Sequence, residues 1–529
     1  MLFRSSDVSP HKVFCGPDGD TAVSFQKDDL ASLVERLRET LAAPDAARAM
    51  GVRARRWVKE NRRWPVTGER IAASLMALAE EFRASLDDAE RPLTDYTVAF
   101  IGDEFTTDTF VPELTALRVR PEDWRETFED HRVDALFIES AWRGNDSAWT
   151  GIIGYYDDET HAPVVELIAH CRLHEIPVMF WNKEDPVHFN RFKRTAALCD
   201  YVFTTDARTI VDYNALPDNQ ITTVASAPFA AQPLLHNPLP STRAQDEAIA
   251  YGGTYYGDKY ATRKQGLDFL FYESAPHGLA IYERVHNDPN SPYRLPDRFR
   301  RYARGSLSYP EMCQAYKAHP IHLNGNSVVD SPSMFSRRVV EITASGSTVL
   351  SSAGRGVDET LAGTVPTVTT PDEAAAYLEG WKSSEQRRHA GLWEAFRHVY
   401  ETHTCAHRLV YMMRVAGFRV RSPQAAPIAV ECAAADVPLF EAQTMRPALY
   451  LVTDTTEGVD AASPVVLAAL PERVAKLQEA GIRNVVIHRE GAPALDEHLV
   501  EDFSLALHFG HWKAVGTRTV EWSPGDAHV

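Results

Sequence analysis

The spacing of apolar residues along this chain changes near residue 95. Before that point, apolar residues such as Leu33, Leu37 and Leu41 recur every four positions, as expected for one face of a helix. The pattern predicts three helices. The first starts at residue 28, the second spans 46–61 and the third spans 69–86. We therefore expect residues 1–88 to form a helical segment.

Beyond residue 95, short continuous apolar runs alternate with amphipathic stretches. Within residues 89–240, the runs predicted as strands are 97–101, 135–138, 177–181 and 201–204. Strands that are apolar on both faces and alternate with helices are typical of a parallel sheet covered on both sides. The Pro-rich residues 228–240 predict a linker to a second region of the same kind.

Residues 241–420 repeat this alternation, and their predicted strands are 249–253, 279–282, 321–324 and 348–350. Residues 421–529 carry two further apolar runs, 448–452 and 484–487, on either side of a helix predicted over 471–480. The chain is thus predicted to be an α/β protein of the GT-B-like type described below. Two doubly wound, Rossmann-like domains would face each other across a cleft, flanked by the N-terminal helical segment and a small C-terminal α/β extension.

The segment from Ser331 to Glu341 carries the strongest indication of a ligand. Ser331 suits a helix N-cap, and Pro332 suits the first turn, where its missing N–H costs nothing. Free N–H groups and a partial positive charge at a helix start suit a diphosphate. Glu341, two turns further on, would then reach the ribose hydroxyls. An ordinary amphipathic helix with a solvated arginine pair, Arg337 and Arg338, is the alternative.

Two clusters of polar residues follow predicted strands of the first region, where parallel sheets bind ligands. Asp185 and His188 follow the third strand, and either could orient a hydroxyl or act as a base. The other cluster, 139–146, begins with Glu139 and is rich in polar and aromatic groups suited to sugars. The alternatives are a helix-capping role for Asp185 and a plain surface loop for residues 139–146.

A glycine-rich turn at residues 252–257 follows the first predicted strand of the second region. It resembles a phosphate-cradling turn, although it is not the G-x-G-x-x-G fingerprint of dinucleotide-binding proteins. Gly253 in this turn, and Arg263 and Lys264 in the helix that follows, could meet a phosphate. Solvated helix charges are the commoner explanation for the two cations.

Composition excludes some classes of partner. The chain has 529 residues and a net charge of −18, which argues against a nucleic acid or an anionic membrane surface as the main partner. The six cysteines are scattered without a C-x-x-C pair, as is usual for buried free thiols in a reducing compartment. No apolar run is long enough to span a membrane, and no signal-peptide core opens the chain. We therefore expect a cytoplasmic protein.

One pair of histidines has the spacing of metal ligands. His170 and His174 stand at i and i+4 on a predicted helix, but no glutamate follows in the H-E-x-x-H manner. No third ligand is evident in the sequence, so we predict no metal site.

Taken together, these motifs resemble glycosyltransferases of the spore-maturation type, which are related to family 4 enzymes with the GT-B fold. The resemblance covers about residues 95–418. Its motifs are Glu139–Trp142 with Gly144 and Asn145, Phe180–Phe189, Phe203–Asp206, Leu323 and Asn324 with Asn326 and Ser327, and Ser331–Glu341. Residues 13–82 resemble the closing helices of a family 4 enzyme.

The resemblance implies a metal-independent, retaining transfer of a sugar from a UDP- or GDP-linked donor to an acceptor hydroxyl in the cleft. It implies no cofactor besides this donor substrate. Glu341 matches the second acid of the E-x7-E motif of these enzymes, whereas Ser333 stands where the first acid would fall. The alternative is a catalytically inactive relative that binds a nucleotide sugar or serves in an assembly.

The predicted site residues form two groups. Those expected to act on the acceptor are Asp185, His188 and Glu139. Those expected to bind the donor are Gly253, Arg263, Asn324, Asn326, Ser331, Ser333, Arg337, Arg338 and Glu341.

Overall fold

A computed structural model describes residues 4–6, 22–26, 28–61, 71, 72, 74–76, 90–453, 465, 466, 470–488 and 497–509. The chain divides into two units, Met1–Glu90 and Arg91–Val529. In the first unit, the parallel strands β1 (Arg4–Ser6) and β2 (Val23–Phe25) precede the helices α1 (Leu30–Ala42) and α2 (Pro44–Asn61). The helix predicted over 69–86 falls mostly outside the described residues.

The second unit opens with the strands β3 (Thr97–Ile101), β4 (Thr115–Arg118), β5 (Ala135–Glu139), β6 (Val178–Asn182), β7 (Tyr201–Thr204) and β8 (Thr223–Ser226). They form one parallel sheet in the order β4-β3-β5-β6-β7-β8. The connecting helices are α3 (Glu104–Phe110), α4 (Trp124–Asp130), α5 (Asp158–Leu173), α6 (Phe189–Leu198) and α7 (Ile210–Asn214). We call the part that carries this sheet the first domain.

The central strands of this sheet are buried on both faces because their side chains alternate between two hydrophobic cores. In β3, Ala99 and Ile101 pack into one core, whereas Val98 and Phe100 pack into the other. All four strands predicted in this region are present. The prediction misses the two edge strands, β4 and β8, whose side chains are only partly buried and so form no continuous apolar run.

The second sheet is built from β9 (Ile249–Gly253), β10 (Leu279–Glu283), β11 (Ile321–Asn324), β12 (Thr348–Ser352) and β13 (Thr367–Val368). These strands are parallel in the order β10-β9-β11-β12-β13. The helices of this second domain are α8 (Ala261–Ser274), α9 (Asp297–Arg300), α10 (Tyr309–Ala318), α11 (Arg338–Ala344), α12 (Arg355–Thr360), α13 (Pro371–Ser383) and α14 (Glu385–Thr402). The predicted pair of doubly wound, Rossmann-like domains is thereby confirmed.

After the second domain, the chain returns to the first. Helix α15 (Cys405–Val415) places Leu409 and Met412 in the core beneath the first sheet, and the Tyr96 hydroxyl donates to the Arg419 carbonyl at 2.8 Å. The sequence prediction assigned residues up to 420 to the second domain, whereas these contacts attach residues 405–420 to the first sheet.

The two connections between the domains run side by side. The amide of Ala231 donates to the carbonyl of His403, and the amide of Cys405 donates to the carbonyl of Ala231. The Pro-rich linker predicted over 228–240 contains this crossing. Its side chains include the fully buried Gln232 and His236, so the linker is a packed part of the interior.

The C-terminal extension contains a third parallel sheet. Its strands are β14 (Ile428–Cys432), β15 (Leu449–Val452), β16 (Val465–Val466) and β17 (Asn484–Ile487), in the order β16-β15-β14-β17. Its helices are α16 (Val437–Glu441), α17 (Leu470–Glu479) and α18 (Leu499–Ala506). Arg397 of α14 forms a bidentate ion pair with Asp502 of α18, at 2.7 and 2.8 Å, which ties the extension to the second domain.

Two predictions from composition concern the whole chain. Five cysteines lie among the described residues, and all are buried free thiols: Cys171, Cys199, Cys313, Cys405 and Cys432. In the same part of the chain, no helix combines the length and the apolar character that a bilayer crossing requires.

Candidate functional site

The carboxyl ends of the two sheets border a common cavity of about 1150 Å³. Its lining residues follow β3, β5 and β6 in the first domain, and β9, β10 and β11 in the second. Doubly wound sheets bind ligands at the carboxyl ends of their strands, next to the point where the strand order reverses. That point lies between β3 and β5 in one sheet and between β9 and β11 in the other, and the cavity touches both.

The two walls of this cavity carry opposite charges. Among its described lining residues, the second domain contributes no acidic side chain and five cations, which are Lys259, Arg263, Arg284, Arg337 and Arg338. We call this set the basic wall. The first domain contributes mainly acidic groups, and its charged lining residues are Asp103, Glu104, Asp146, Glu184 and Asp185, with Arg143 and Lys183. In a chain with a net charge of −18, a concentration of cations in one wall favours an anionic ligand.

Arg263 forms the buried base of the basic wall. Its guanidinium donates to the carbonyl of Gly325 and to the hydroxyl of Tyr251, the latter at 2.8 Å. These bonds hold together the loops that follow β9 and β11. The buried Nε of Arg263 has no hydrogen-bond partner among the described residues.

Gly253 makes room for Arg338. Its φ is +155°, and a Cβ at this position would lie 2.8 Å from Nη2 of Arg338 and 3.1 Å from the hydroxyl of Tyr251. A side chain here would therefore strain the backbone and displace the guanidinium. Nη1 of Arg338 donates to Oδ1 of Asn324 at 3.3 Å, which orients the group toward the cavity.

Asn324 and Asn326 support the basic wall from behind. The amide of Asn324 donates to the Ser351 hydroxyl at 2.9 Å, while its oxygen accepts the bond from Arg338. Asn326 borders the cavity, but its side-chain amide donates to the carbonyl of Ser352 at 2.9 Å. The structure therefore gives both asparagines a positioning role, and it leaves neither side-chain amide free for a donor.

The helix predicted to begin at Ser331 begins instead at Arg338 and ends at Ala344. The hydroxyl of Ser331 does accept a bond from the amide of Met334 at 2.9 Å, as an N-cap would. The chain nevertheless forms no helix there, and Ser331 caps an isolated turn. The prediction of a helix start at Pro332 that receives a diphosphate is therefore wrong.

Residues of the first domain contact the turn formed by residues 330–333. Its contacts are a hydrogen bond from Ser331 to Asp206 at 2.7 Å, one from Ser333 to the carbonyl of Thr205 at 2.9 Å, one from the amide of Ala207 to Ser333 at 2.8 Å, and an ion pair between Arg208 and Asp330 at 2.6 Å. We call this set the interdomain clasp. Ser331 and Ser333 were predicted to bind the donor, but both are buried in the clasp.

Glu341 faces the interior and does not reach the cavity. Its carboxylate accepts bonds from the hydroxyls of Tyr309 at 3.0 Å and Tyr316 at 3.3 Å, and Oε1 lies 3.5 Å from Nε of Arg337. Burial opposes its ionisation, but Arg337 and the nearby His236 outweigh that effect and hold the pKa of Glu341 below its ordinary value. The prediction that Glu341 grips the ribose is wrong, because its oxygens are engaged within the protein.

Arg337 is the partner that Glu341 positions. Its guanidinium stacks 3.8 Å from the ring centroid of Phe105 in the first domain and 4.7 Å from that of Tyr309. Its Nη1 is buried without a hydrogen-bond partner among the described residues. Arg337 therefore joins the two walls of the cavity and retains an unused donor.

Glu139 lies beneath the floor of the first-domain wall. Its side chain is 0% exposed, pairs with Lys183 and accepts bonds from the amide of Asp103 at 2.6 Å and the hydroxyl of Thr106 at 2.8 Å. Burial raises its pKa, although Lys183 opposes the rise. The prediction that Glu139 acts on the acceptor is contradicted, because an acceptor cannot contact this carboxylate.

Asp185 is likewise engaged within the first domain. It borders the cavity, yet its side chain is 0% exposed and accepts bonds from Asn182 at 2.8 Å, Thr204 at 2.7 Å and Tyr213 at 2.9 Å. Burial raises the pKa of Asp185 to about 7. It does not cap the next helix, whose N-cap residue is His188. The structure thus contradicts a role for Asp185 as acceptor base.

His188 remains the accessible member of the predicted acceptor group. It is half-buried in the first-domain wall, and its ring stands edge-on to that of Trp142, with centroids 5.0 Å apart. The amides of Trp142 and of the two residues after it donate to Asp103 at 2.9 to 3.0 Å. This carboxylate therefore fixes the loop after β5 that holds Trp142 against His188.

Sequence reasoning missed Arg284 and Tyr309. Arg284 follows β10 at its carboxyl end, the same position relative to a strand that identified the other clusters. Its side chain is exposed to the cavity. The walls of the cavity reduce the hydration of the Arg284 guanidinium. This effect, together with repulsion by Arg337 and Arg338, holds the pKa of Arg284 below its ordinary value. Tyr309 follows the capping serine of α10, and nothing local indicated that it lines a cavity.

Comparison with known proteins adds one finding about the second domain. Residues 267–414 match a family model described as Glycosyl transferase-like. A comparison with curated proteins found no match to this chain.

Three solved structures show low overall similarity. A glycosyltransferase from Rickettsia africae is 11% identical over 59% of this chain and 87% of its own, with a TM-score of 0.40. An alpha-glucosyltransferase in complex with UDP-glucose and DNA containing an abasic site is 9% identical over 58% and 86%, with a TM-score of 0.39. Sucrose-phosphate synthase from Thermosynechococcus elongatus is 13% identical over 56% and 76%, with a TM-score of 0.35. None of these low similarities transfers an activity to this chain, and the match to the Glycosyl transferase-like model is confined to residues 267–414.

Proposed function

We propose that this protein transfers a sugar from a UDP- or GDP-linked donor to an acceptor hydroxyl within the cavity between its two domains. The observation that carries the proposal is the basic wall of the second domain, which faces an acidic wall across the cavity. A nucleotide sugar carries its negative charge on the diphosphate, whereas its hydroxyl groups are neutral. Such a molecule matches a site in which five cations, with no acidic side chain beside them among the described lining residues, form the wall of one domain.

The chemistry follows from the charge that develops on the leaving group. When the bond from the sugar to the diphosphate breaks, negative charge grows on the nucleoside diphosphate, and preorganised donors lower the barrier by stabilising it. Arg263 and Arg338 are held in place by hydrogen bonds within the second domain, so they need little reorganisation. Because side chains supply this positive charge, the transfer we propose needs no metal.

The acceptor is proposed to bind against the first-domain wall. His188 is accessible there, and an imidazole is a common general acid or base in catalysis. Trp142 supports its ring and offers an aromatic surface beside it. The family resemblance is the support for a retaining course of the transfer.

Aromatic side chains next to the basic wall suit a nucleobase. Tyr256 and Tyr260 line the cavity and pack edge to face, with ring centroids 5.4 Å apart. Stacking of a base on an aromatic ring contributes about 1–3 kcal/mol and tolerates every base. These tyrosines therefore support a nucleotide as the donor without selecting between uracil and guanine.

Calorimetric titration with UDP and GDP, and the release of either nucleotide from UDP- and GDP-sugars, would test the proposal. We expect Arg338→Gln to weaken nucleotide binding about 10- to 100-fold, the loss typical of a charge-assisted hydrogen bond. Arg300→Gln is the matched control, because Arg300 is an exposed arginine of the second domain that pairs with Asp297. If neither nucleotide binds the wild type, or if Arg338→Gln binds as tightly as Arg300→Gln, the proposal is wrong.

A binding protein without turnover is the second candidate. The buried and engaged state of Glu139 and Asp185 favours it, because the oxygens of two carboxylates predicted to act on the acceptor are bonded within the protein. Binding of UDP or GDP without release of the nucleotide from any donor sugar would support this candidate. Loss of turnover in His188→Gln, with nucleotide affinity unchanged, would support the enzyme.

A further inference from the structure

The basic wall holds more positive charge than a diphosphate neutralises. Arg337 has a carboxylate partner in Glu341. No carboxylate of the described residues lies within ion-pair distance, 4.0 Å, of its four companions, Lys259, Arg263, Arg284 and Arg338. The diphosphate of a nucleotide sugar brings one negative charge on each phosphate. Even if the exposed Lys259 is left to solvent, three guanidinium groups face those two charges.

Arg284 and Arg338 both approach the backbone of Gly253. Nη2 of Arg338 lies 2.8 Å from the position of a Cβ on Gly253, and the amide of Arg284 donates to the carbonyl of Gly253 at 3.3 Å. Loss of hydration in the cavity lowers the pKa of Arg284, and repulsion by the like charges of Arg337 and Arg338 lowers it further. An anion bound between these groups would relieve this repulsion.

Arg284 is the member of the set that is free to bind such an anion. Arg263 is fixed by Gly325 and Tyr251, and Arg338 is fixed by Asn324. The guanidinium of Arg284 makes no hydrogen bond to the described residues and is exposed to the cavity. Its planar fork can bind a carboxylate or a phosphate through two parallel bonds.

We propose, building on the function proposed above, that the substrates of this cavity carry a third anionic group besides the donor diphosphate, and that Arg284 binds it. The group has two possible sources with the same chemistry. It is either a carboxylate on the transferred sugar, which makes the donor a uronic acid nucleotide, or a phosphate on the acceptor.

The first experimental arm tests the donor as the source. Calorimetric titration of the full chain would compare UDP-glucuronate with UDP-glucose, and GDP-mannuronate with GDP-mannose. Each pair differs only in the carboxylate. If the donor carries the third anion, we expect one acidic member to bind about 10- to 100-fold tighter than its neutral counterpart.

The second arm tests the acceptor as the source. Protein saturated with UDP or GDP, whichever binds, would be titrated with glucose 6-phosphate and with glucose. If the acceptor carries the third anion, the phosphorylated sugar binds at least tenfold tighter than glucose, and the acidic and neutral donors bind alike.

Variants identify the residue responsible. In whichever arm shows a preference for the acidic ligand, we expect Arg284→Gln to bring the ratio of affinities close to one, and Arg284→Lys to keep part of it. Arg338→Gln should weaken both members of a donor pair together and so preserve their ratio. Arg300→Gln, on the surface of the same domain, should change neither affinity, and thermal melts would confirm that each variant is folded.

Two outcomes would overturn the inference while leaving the proposed function intact. One is nucleotide binding with no preference for the acidic ligand in either arm. The other is a preference that Arg284→Gln retains. Absence of UDP and GDP binding would instead remove the proposed function, so the two failures are distinguishable.

Discussion

The hydroxyl of Ser331 donates a 2.7 Å hydrogen bond to Oδ1 of Asp206, and this bond joins the second domain to the first. Asp206 is fully buried. Burial alone would raise its pKa, but bonds from Arg208 and Ser331 outweigh that effect and hold the pKa below its ordinary value. The carboxylate accepts bonds from Arg208 in its own domain and from Ser331 across the interdomain clasp, so the bond from Ser331 is the part of its environment that depends on the clasp.

Ser331→Ala should open the clasp more often. We expect amide exchange at Ala207, whose N–H donates across the clasp to Ser333 at 2.8 Å, to accelerate about 10- to 100-fold. This corresponds to loss of about 1.5–3 kcal/mol from a hydrogen bond to a charged group. Hydrogen exchange followed by mass spectrometry or NMR would measure it. Ser345→Ala is the matched control, because the buried hydroxyl of Ser345 donates at 2.7 Å to the backbone carbonyl of Glu341 within one domain. Equal exchange at Ala207 in both variants would contradict the role of the clasp.

Glu341 should act through Arg337. Removing one member of a buried ion pair leaves the other charge uncompensated, at a cost of about 3–5 kcal/mol. We therefore expect Glu341→Gln to lower stability and nucleotide affinity together, and the double variant Glu341→Gln, Arg337→Gln to be more stable than the single one. A double-mutant cycle from thermal or urea unfolding gives the coupling energy. A coupling close to zero, with loss of nucleotide binding in Glu341→Gln, would restore a direct contact between Glu341 and the donor.

The central strands could be predicted because residues such as Phe100 and Phe137 belong to continuous apolar runs buried on both faces. The edge strand β4 could not, because its residues face solvent at both ends and resemble a loop in sequence. The helix expected from Ser331 failed for a different reason. The local capping bond to Met334 is present, but tertiary contacts with the first domain take over the residues that would have formed the next turn.

The candidate site shows the same difference between what the local sequence indicates and what tertiary contacts decide. Strand ends pointed to the cavity, because parallel sheets bind ligands beyond the carboxyl ends of their strands, and residues in the segments after β6 and β10, such as His188 and Arg284, do line it. Burial of the side chain itself could not be inferred in this way. Glu139 and Asp185 also follow strands, yet their carboxylates turn inward to Lys183 and Tyr213. These are partners that only the folded chain brings close.

Gly253→Ala should separate backbone strain from the placement of Arg338. A left-handed φ in a non-glycine residue costs about 1–3 kcal/mol, and the new Cβ would also press on Nη2 of Arg338. We expect a lower melting temperature and a loss of nucleotide affinity of about tenfold. Gly363→Ala is the matched control, because Gly363 has a φ of +73° but no atom within 4 Å of an added Cβ. It should lose stability without losing affinity. Equal affinities in the two variants would disconnect Gly253 from the ligand.

Asp185 should make the stability of the first domain depend on pH. Its pKa rises from an ordinary value of 3.8 to about 7 in the folded chain. A group whose pKa is raised on folding contributes stability that is fully present below the unfolded pKa and is lost as the pH rises through the folded pKa. The free energy of unfolding of the wild type should therefore fall, relative to Asp185→Asn, between about pH 4 and pH 7. The size of that change would be at most roughly 4 kcal/mol.

Urea unfolding at several pH values, followed by tryptophan fluorescence, would measure this dependence. Asp297→Asn is the matched control, because Asp297 is exposed and pairs with Arg300 on the surface. The free energy of unfolding of this variant should follow that of the wild type at every pH. Parallel pH profiles for the wild type and Asp185→Asn would show that the carboxyl ionises with its ordinary pKa.

Since Asp185 is held by Asn182, Thr204 and Tyr213 away from any acceptor, we also expect sugar transfer by Asp185→Asn to persist wherever the variant is folded. Complete loss of transfer in a folded Asp185→Asn would return this carboxylate to the chemistry.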